Sequence, residues 1–347
     1  MRIVRVEVLD PAEPVTLALA GVKLPLAADF TAPVALTLGL ERKPAAIAYG
    51  LRDTARRGTV EGFSALTPFG LGRVPLVLVE GVGLSPTMMA QIANEVAGDA
   101  VLSARYQVWL YRYSVTAPLF YAASTFRADL ARFSTQLAAV AGTPHAGSVV
   151  LVARGTGAVL AKSLLADCGS ALWDAVFTVP PERLDVAPAD RALLERLFRW
   201  RRANELDRLV VLGEPQNAEG LIAGVGTRAV HLLQRQSVAL RGAIERVYGR
   251  EKHRLAAPLS ARDAAAGAGD SFGYPEPVCD AIAAAALAAD RALLALVAAD
   301  GAGAEDSKLY LGTSGLRPVE SRRAGSAEVP VEPLVVQRAL DWLRPPG

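Results

Sequence analysis

The residues of this chain that are best placed to do chemistry lie in a glycine-rich turn near the middle of the sequence. An apolar, β-branched run over 148–152 leads into residues 153–157, which read Ala-Arg-Gly-Thr-Gly, and residues 158–161 favour a helix. A strand, a sharp turn and a helix in this order present a nucleophile when the pattern is G-x-S-x-G. The central residue here is Gly155, which has no side chain and cannot attack a carbonyl group.

The elements that must position this turn alternate between short apolar strands and helices. The strands are predicted over residues 74–80, 106–111, 148–152, 209–213, 308–312 and 327–331. The helices are predicted to start at Ser85-Pro86 and to cover 117–141, 158–167, 227–248, 278–299 and 334–343. This alternation predicts a mostly parallel central sheet with helices on both faces, in which ligands bind beyond the carboxyl ends of the strands.

Two further regions are predicted around this sheet. Residues 1–72 form an N-terminal extension packed on the core, and residues 73–347 form the main domain. Within the extension, strands are predicted at 3–9 and 15–26 and helices at 28–40 and 44–57.

The second region is an insert over about 172–207, which is predicted to cover the turn as a lid. Its aromatic residues include Trp173, Phe177, Phe198 and Trp200. The apolar residues of 192–202 fall at largely helical spacing, so one face of this segment must be buried. We expect that face to lie over the carboxyl ends of the strands.

Composition limits the functions to consider. The 347 residues are 52% apolar and 21% charged, which suits a globular protein with a large core. The net charge of +2 arises from 37 basic and 35 acidic residues that are interspersed, so no nucleic-acid or anionic-membrane partner is predicted. The N-terminus alternates charged and apolar residues, which predicts a strand, and neither a signal peptide nor a transmembrane segment is expected.

The two cysteines, Cys168 and Cys279, are far apart and form no C-x-x-C pair. No zinc or redox motif is therefore expected, and a reducing cytoplasm is the predicted location. No cofactor or metal is predicted either, because no spaced set of ligands accompanies the histidines.

The order of motifs along the chain resembles that of bacterial α/β-hydrolases of the lipase/esterase type. Residues 75–86 resemble the family's strand, oxyanion turn and helix start, V-H-G-x-x-S-S-P, and residues 106–113 resemble the next strand. Residues 149–160 resemble the nucleophile elbow, where the family reads G-H-S-M-G-G, and residues 209–220 resemble the strand that follows. The resemblance covers nearly everything after the extension and implies an α/β-hydrolase fold.

The same resemblance implies a degenerate catalytic triad. The nucleophile position holds Gly155, the acid position in the loop 313–318 holds Ser314, and the histidine position falls near Ala327. No histidine follows His253 in the sequence. The oxyanion motif has Glu80 in place of its histidine, and an extra carboxylate there opposes the charge that the site must stabilise.

The remnant of the site is expected to contain Gly81, Val82, Arg154 and Thr156 beside Glu80. We hypothesise that Arg154 and Glu80 form an ion pair at its mouth. The resemblance then leaves three functional alternatives open: a non-catalytic protein that binds a protein partner or an apolar small molecule, a structural subunit, and an active esterase with another nucleophile. Thr156 or Ser85 would serve as that nucleophile and would need an adjacent base. The oligomeric state is not fixed by the sequence.

Overall fold

The described part of the chain alternates between strands and helices. The structure is a computed structural model, and it describes residues 16–19, 22–25, 61–79, 81, 87–113, 119–141, 149–212, 238–256, 281, 285, 292–298, 316–319 and 333–344. The strands are β1 (Thr16–Leu19), β2 (Val22–Pro25), β3 (Gly62–Ala65), β4 (Val74–Val79), β5 (Tyr106–Arg112), β6 (Val149–Arg154), β7 (Leu206–Leu212), β8 (Ala292–Ala298) and β9 (Leu316–Val319). The helices are α1 (Thr87–Gly98), α2 (Ala100–Arg105), α3 (Leu119–Ala141), α4 (Thr156–Leu165), α5 (Ala171–Asp174), α6 (Pro188–Phe198), α7 (Val238–Glu251) and α8 (Pro333–Leu343).

Seven of the described strands form one sheet in the order β3-β5-β4-β6-β7-β8-β9. β3 is antiparallel to β5, and every other neighbouring pair is parallel. The carboxyl ends of the parallel strands therefore meet at one edge of the sheet, with β6 in the centre. This confirms the mostly parallel sheet that the strand–helix alternation predicts.

The strands β4, β5, β6 and β7 are largely buried, because their successive side chains point to opposite faces of the sheet and both faces are covered. In β4, Val77 and Val79 belong to a core cluster with α3, α4 and α6. Leu76 and Leu78 belong to a second cluster with α1, α2 and α8 on the other face. The predicted helix layers on both faces are confirmed.

The stretch predicted as a long helix over 278–299 contains a strand instead. β8 covers Ala292–Ala298 and pairs in parallel with β7 on one side and β9 on the other. Leu294, Ala295 and Leu296 are buried there. Alanine favours helices, but a central place in the sheet supplies backbone hydrogen bonds and burial that outweigh this preference.

The predicted N-terminal extension contributes to the main sheet. β3 lies within residues 1–72 and forms the edge strand beside β5. The single strand predicted over 15–26 is a hairpin of β1 and β2, with Thr16 opposite Pro25. The strands predicted at 3–9, 308–312 and 327–331 and the helices predicted at 28–40 and 44–57 lie outside the described residues.

In the parts of the chain that the structure covers, no helix combines the length and the apolar character that a membrane span needs.

Candidate functional site

The centre of the candidate site is the turn between β6 and α4. Gly155 lies between Arg154, the last residue of β6, and Thr156, the first residue of α4. Its backbone adopts φ 57° and ψ −132°, and the residue is buried. The Gly155 carbonyl accepts a hydrogen bond from the Ala158 N–H at 3.0 Å, which closes the first turn of the helix. The predicted strand–turn–helix on a central parallel strand is confirmed.

The conformation of Gly155 explains why glycine suits this position. A φ of 57° combined with a ψ of −132° lies in a region that residues with a Cβ rarely adopt, and such strain amounts to about 1–3 kcal/mol. A serine nucleophile on this kind of turn must tolerate that strain, since the turn is what exposes its hydroxyl group. In this chain glycine occupies the turn, so neither a hydroxyl group nor that strain is present.

The loop after β4 leaves the sheet at the same edge as Gly155. β4 and β6 are parallel neighbours, with Val79 paired to Ala153, so both strands end side by side. Gly81 is buried, and Arg154 is half-buried. Glu80, Val82, Ser85 and the side chain of Thr156 are outside the described residues, and the ion pair of Glu80 with Arg154 stays a prediction.

The alignment that assigned the acid position to Ser314 predicted a loop over 313–318. The structure has β9 at Leu316–Val319, parallel to β8. β9 runs in the same direction as β8, so its first residue, Leu316, lies toward the edge away from Gly155. Ser314 lies outside the described residues, and its assignment as the acid position stays a prediction.

The direction of β8 indicates a candidate for the catalytic carboxylate that the sequence analysis missed. The chain leaves β8 after Ala298 at the same edge as Gly155, and the first acidic residue after that point is Asp300. The signal was hidden because 278–299 was interpreted as one helix. Asp300 is outside the described residues, as is Ala327.

Only one of the three histidines lies in the described part of the chain. His253 is exposed in a short 3-10 turn after α7, and its Nε2 accepts a hydrogen bond from Arg254 Nε at 3.2 Å. His145 and His231 fall outside the described residues. After β9, where a parallel strand again ends at the Gly155 edge, the sequence contains no histidine.

The parallel sheet, the helices on both faces and the glycine turn on the central strand together form an α/β-hydrolase fold. Three solved structures illustrate what the chain is similar to. Esterase 2 of Thermogutta terrifontis, phosphonylated by sarin, is 13% identical, with 81% of this chain and 87% of that chain covered and a TM-score of 0.39. For an inhibited esterase B from Lactobacillus rhamnosis, the identity is 12%, the coverage 84% and 90%, and the TM-score 0.40. For a carboxylesterase structure from the thaumarchaeon Nitrososphaera gargenis, the identity is 13%, 81% of this chain and 90% of that chain are covered, and the TM-score is 0.36.

No family model matches the chain, and no curated protein matches it in sequence. The identities to the solved esterases are too low to transfer the role of any residue. The chemistry of the site therefore depends on this chain's own residues.

The insert over 172–207 starts and ends at the edge opposite to Gly155. The Trp200 carbonyl accepts a hydrogen bond from the Cys168 N–H at 3.1 Å, and the Ala203 N–H donates to the Leu164 carbonyl at 2.7 Å. Leu164 lies at the end of α4, which runs back from the Gly155 edge. The expectation that this insert lies over Gly155 as a lid is therefore not supported by its attachment.

The four aromatic residues of the insert are buried in the helical layer on one face of the sheet. The rings of Trp173 and Phe177 stack with centroids 4.4 Å apart, and the ring of Phe198 lies 4.9 Å from that of Phe120 in α3. A bidentate salt bridge also joins α6 to α7. In it, Arg246 Nε donates to Asp190 Oδ2 at 2.5 Å and Arg246 Nη2 donates to Asp190 Oδ1 at 2.6 Å. The predicted burial of this apolar face is confirmed, and its partner is the helical layer.

Proposed function

We propose that this chain is an α/β-hydrolase-like protein that has lost serine-dependent hydrolysis and acts as a binding or structural protein. The observation that carries the proposal is the backbone of Gly155. A left-handed glycine stands on the central strand where a serine hydrolase needs its nucleophile, and glycine has no atom that can form an acyl-enzyme bond.

The rest of the chemistry that a serine hydrolase requires supports the same proposal. The nucleophile needs a base within hydrogen-bond reach, and the base needs a carboxylate to orient it. Asp300 is a candidate for the carboxylate, but no histidine follows β9 in the sequence. A serine introduced at 155 would therefore still lack the base that activates it.

The features that are retained favour binding. The first-turn N–H groups of α4 follow a residue that offers no side chain to cap them. An edge with these donors can still hold a carbonyl or another acceptor without breaking a bond. The proposed occupant is an apolar small molecule or a segment of a protein partner, seated where a substrate would otherwise lie.

The proposal predicts that the purified full-length protein does not hydrolyse p-nitrophenyl butyrate above the rate of the buffer. Gly155→Ser is expected to remain inactive, because the new hydroxyl group has no base beside it. The assay measures release of p-nitrophenol at neutral pH, and a thermal melt checks that Gly155→Ser is folded despite the strain of about 1–3 kcal/mol that its Cβ introduces.

Turnover that Thr156→Ala or Ser85→Ala abolishes would contradict the proposal and would identify the chain as an active esterase with another nucleophile. Turnover that appears only in Gly155→Ser would show that a base is present near the turn. In that case His145 and His231 are the residues to replace next.

A further inference from the structure

A second concave site lies away from the Gly155 turn, between the sheet edge and α3. A groove of about 510 Å³ opens between the first strands of the sheet, β3 and β5, and this helix. Phe63 stacks on Phe133 with centroids 4.2 Å apart, and Trp109 meets Phe133 edge-on at 4.8 Å. These rings form an aromatic wall whose groove has the volume of a small-molecule site.

One end of the groove is acidic. Glu61 and Asp129 line it together with Arg132. Asp129 accepts a hydrogen bond from the Tyr111 hydroxyl group at 2.9 Å and forms an ion pair with Arg132. The Arg132 side chain is 74% exposed, whereas that of Asp129 is 12% exposed, so water screens the cation more than the anion. The two carboxylates leave this end of the groove negative.

The surroundings of Glu61 disfavour its ionised form. Partial burial raises the pKa of Glu61, and the negative charge of Asp129 raises it further. Neither influence comes from a cation. A positive group bound between Glu61 and Asp129 would offset both, because it attracts the two ionised carboxylates at once.

The other end of the groove is apolar and open to solvent. Phe69 is 45% exposed and Val140 is 64% exposed, and both line the groove beside Leu137. Leu71, two residues from Phe69, is 70% exposed. Large apolar side chains that remain exposed around a concave site are typical of surfaces that bind a ligand.

We propose that this groove binds a small organic cation with an apolar stem, whose charged head lies between Glu61 and Asp129 and whose stem lies along the aromatic wall. The carboxylates favour a positive head and repel an anionic one. The aromatic wall buries the apolar stem. The proposal is independent of whether hydrolysis is lost, because none of these residues lies at the Gly155 turn.

The test is calorimetric titration of the full-length protein with hexyltrimethylammonium, compared with heptanoate and hexanol, which carry the same hexyl stem. We expect the cation to bind and both comparison compounds to bind more weakly. Glu61→Gln is expected to weaken binding of the cation by about threefold to tenfold, since it removes one charge without changing the shape of the side chain. Phe69→Ala is expected to weaken it through loss of apolar contact.

Glu182→Gln is the matched control, because Glu182 is an exposed glutamate outside the groove. This variant should bind the cation as the parent protein does. Equal binding of heptanoate and the cation, no detectable binding of the cation, or binding unaffected by Glu61→Gln would each overturn the proposal. A change of oligomeric state in Phe69→Ala without a change in cation binding would also overturn it and would identify the groove as an interface between copies of the chain.

Discussion

Replacing Trp200 with alanine is expected to lower the free energy of unfolding by about 3–5 kcal/mol. The side chain is 1% exposed and belongs to the same core cluster as α3, α4 and α6. Its removal leaves a cavity that the surrounding helices can fill only in part. The Trp200 carbonyl also accepts a hydrogen bond from the Cys168 N–H. The cavity would therefore open at the point where the insert joins α4. Urea denaturation followed by circular dichroism measures the change.

Trp342→Ala is the matched control for this substitution. Trp342 is only half-buried in α8, and the Arg208 guanidinium lies 5.6 Å from its ring centroid. The loss of stability should be clearly smaller than for Trp200. A neutral Trp200→Ala would contradict the packing described for the insert and would return its aromatic residues to consideration as a binding surface.

Replacing Lys162 with methionine is expected to raise the free energy of unfolding at pH 7 by about 2–4 kcal/mol. Lys162 is 1% exposed in α4, and burial lowers its pKa from 10.5 to about 8, against an opposing influence of Cys168. At pH 7 the amine is charged in both the folded and the unfolded chain. Burying that charge therefore lowers the free energy of unfolding. Methionine has a similar length and no charge.

The pH dependence follows from the sign of that shift. Between pH 8 and 10.5 the folded protein releases the Lys162 proton while the unfolded chain keeps it, so this group makes the parent protein more stable as the pH rises. Burial also raises the pKa of the Cys168 thiol to about 11. Between pH 9 and 11 the unfolded chain loses this proton while the folded protein keeps it, so Cys168 makes the protein less stable as the pH rises. Cys168 is present in both proteins, so the advantage of Lys162→Met should shrink from pH 8 upward and vanish above pH 10.5.

Lys252→Met is the control, because Lys252 is exposed and should give little change at any pH. Chemical denaturation at pH 7, 8, 9 and 10 measures both variants against the parent. A Lys162→Met protein that is less stable than the parent at pH 7 would mean that the interactions of the ammonium group outweigh its burial.

The parts of the fold that sequence could predict are those with a strong local signal. The apolar runs of β4 and β6 are long enough to be buried on both faces, and the glycines around Thr156 mark the end of one strand and the start of a helix. These signals gave the central strand, the turn and the helix layers. They depend on residues adjacent in the chain.

The parts that sequence could not predict depend on neighbours far away in the chain. The alanines and leucines of β8 match a helix as well as a strand, and only its place between β7 and β9 selects the strand. Because 278–299 was predicted as a helix, the sequence offered no reason to consider Asp300, which follows β8 in the chain. The surface that buries the insert could not be predicted, because an apolar helical face shows that burial is required without showing which surface supplies it.

The groove beside Trp109 was missed for a related reason. Glu61 and Phe63 belong to the predicted extension, whereas Asp129 and Phe133 lie in α3, far along the sequence. Antiparallel pairing of β3 with β5 brings them together, since it places Phe63 opposite Tyr111 and next to α3. Without that pairing, each residue is consistent with an ordinary surface or core position.

The absence of a nucleophile at the Gly155 turn is tested most directly by covalent labelling. The full-length protein is incubated with a fluorophosphonate probe, with a known serine esterase as a positive control, and the intact mass is measured. We expect the mass of the chain to stay unchanged while the control gains one probe per active site. A stoichiometric adduct on this chain, mapped to Thr156 or Ser85, would contradict it.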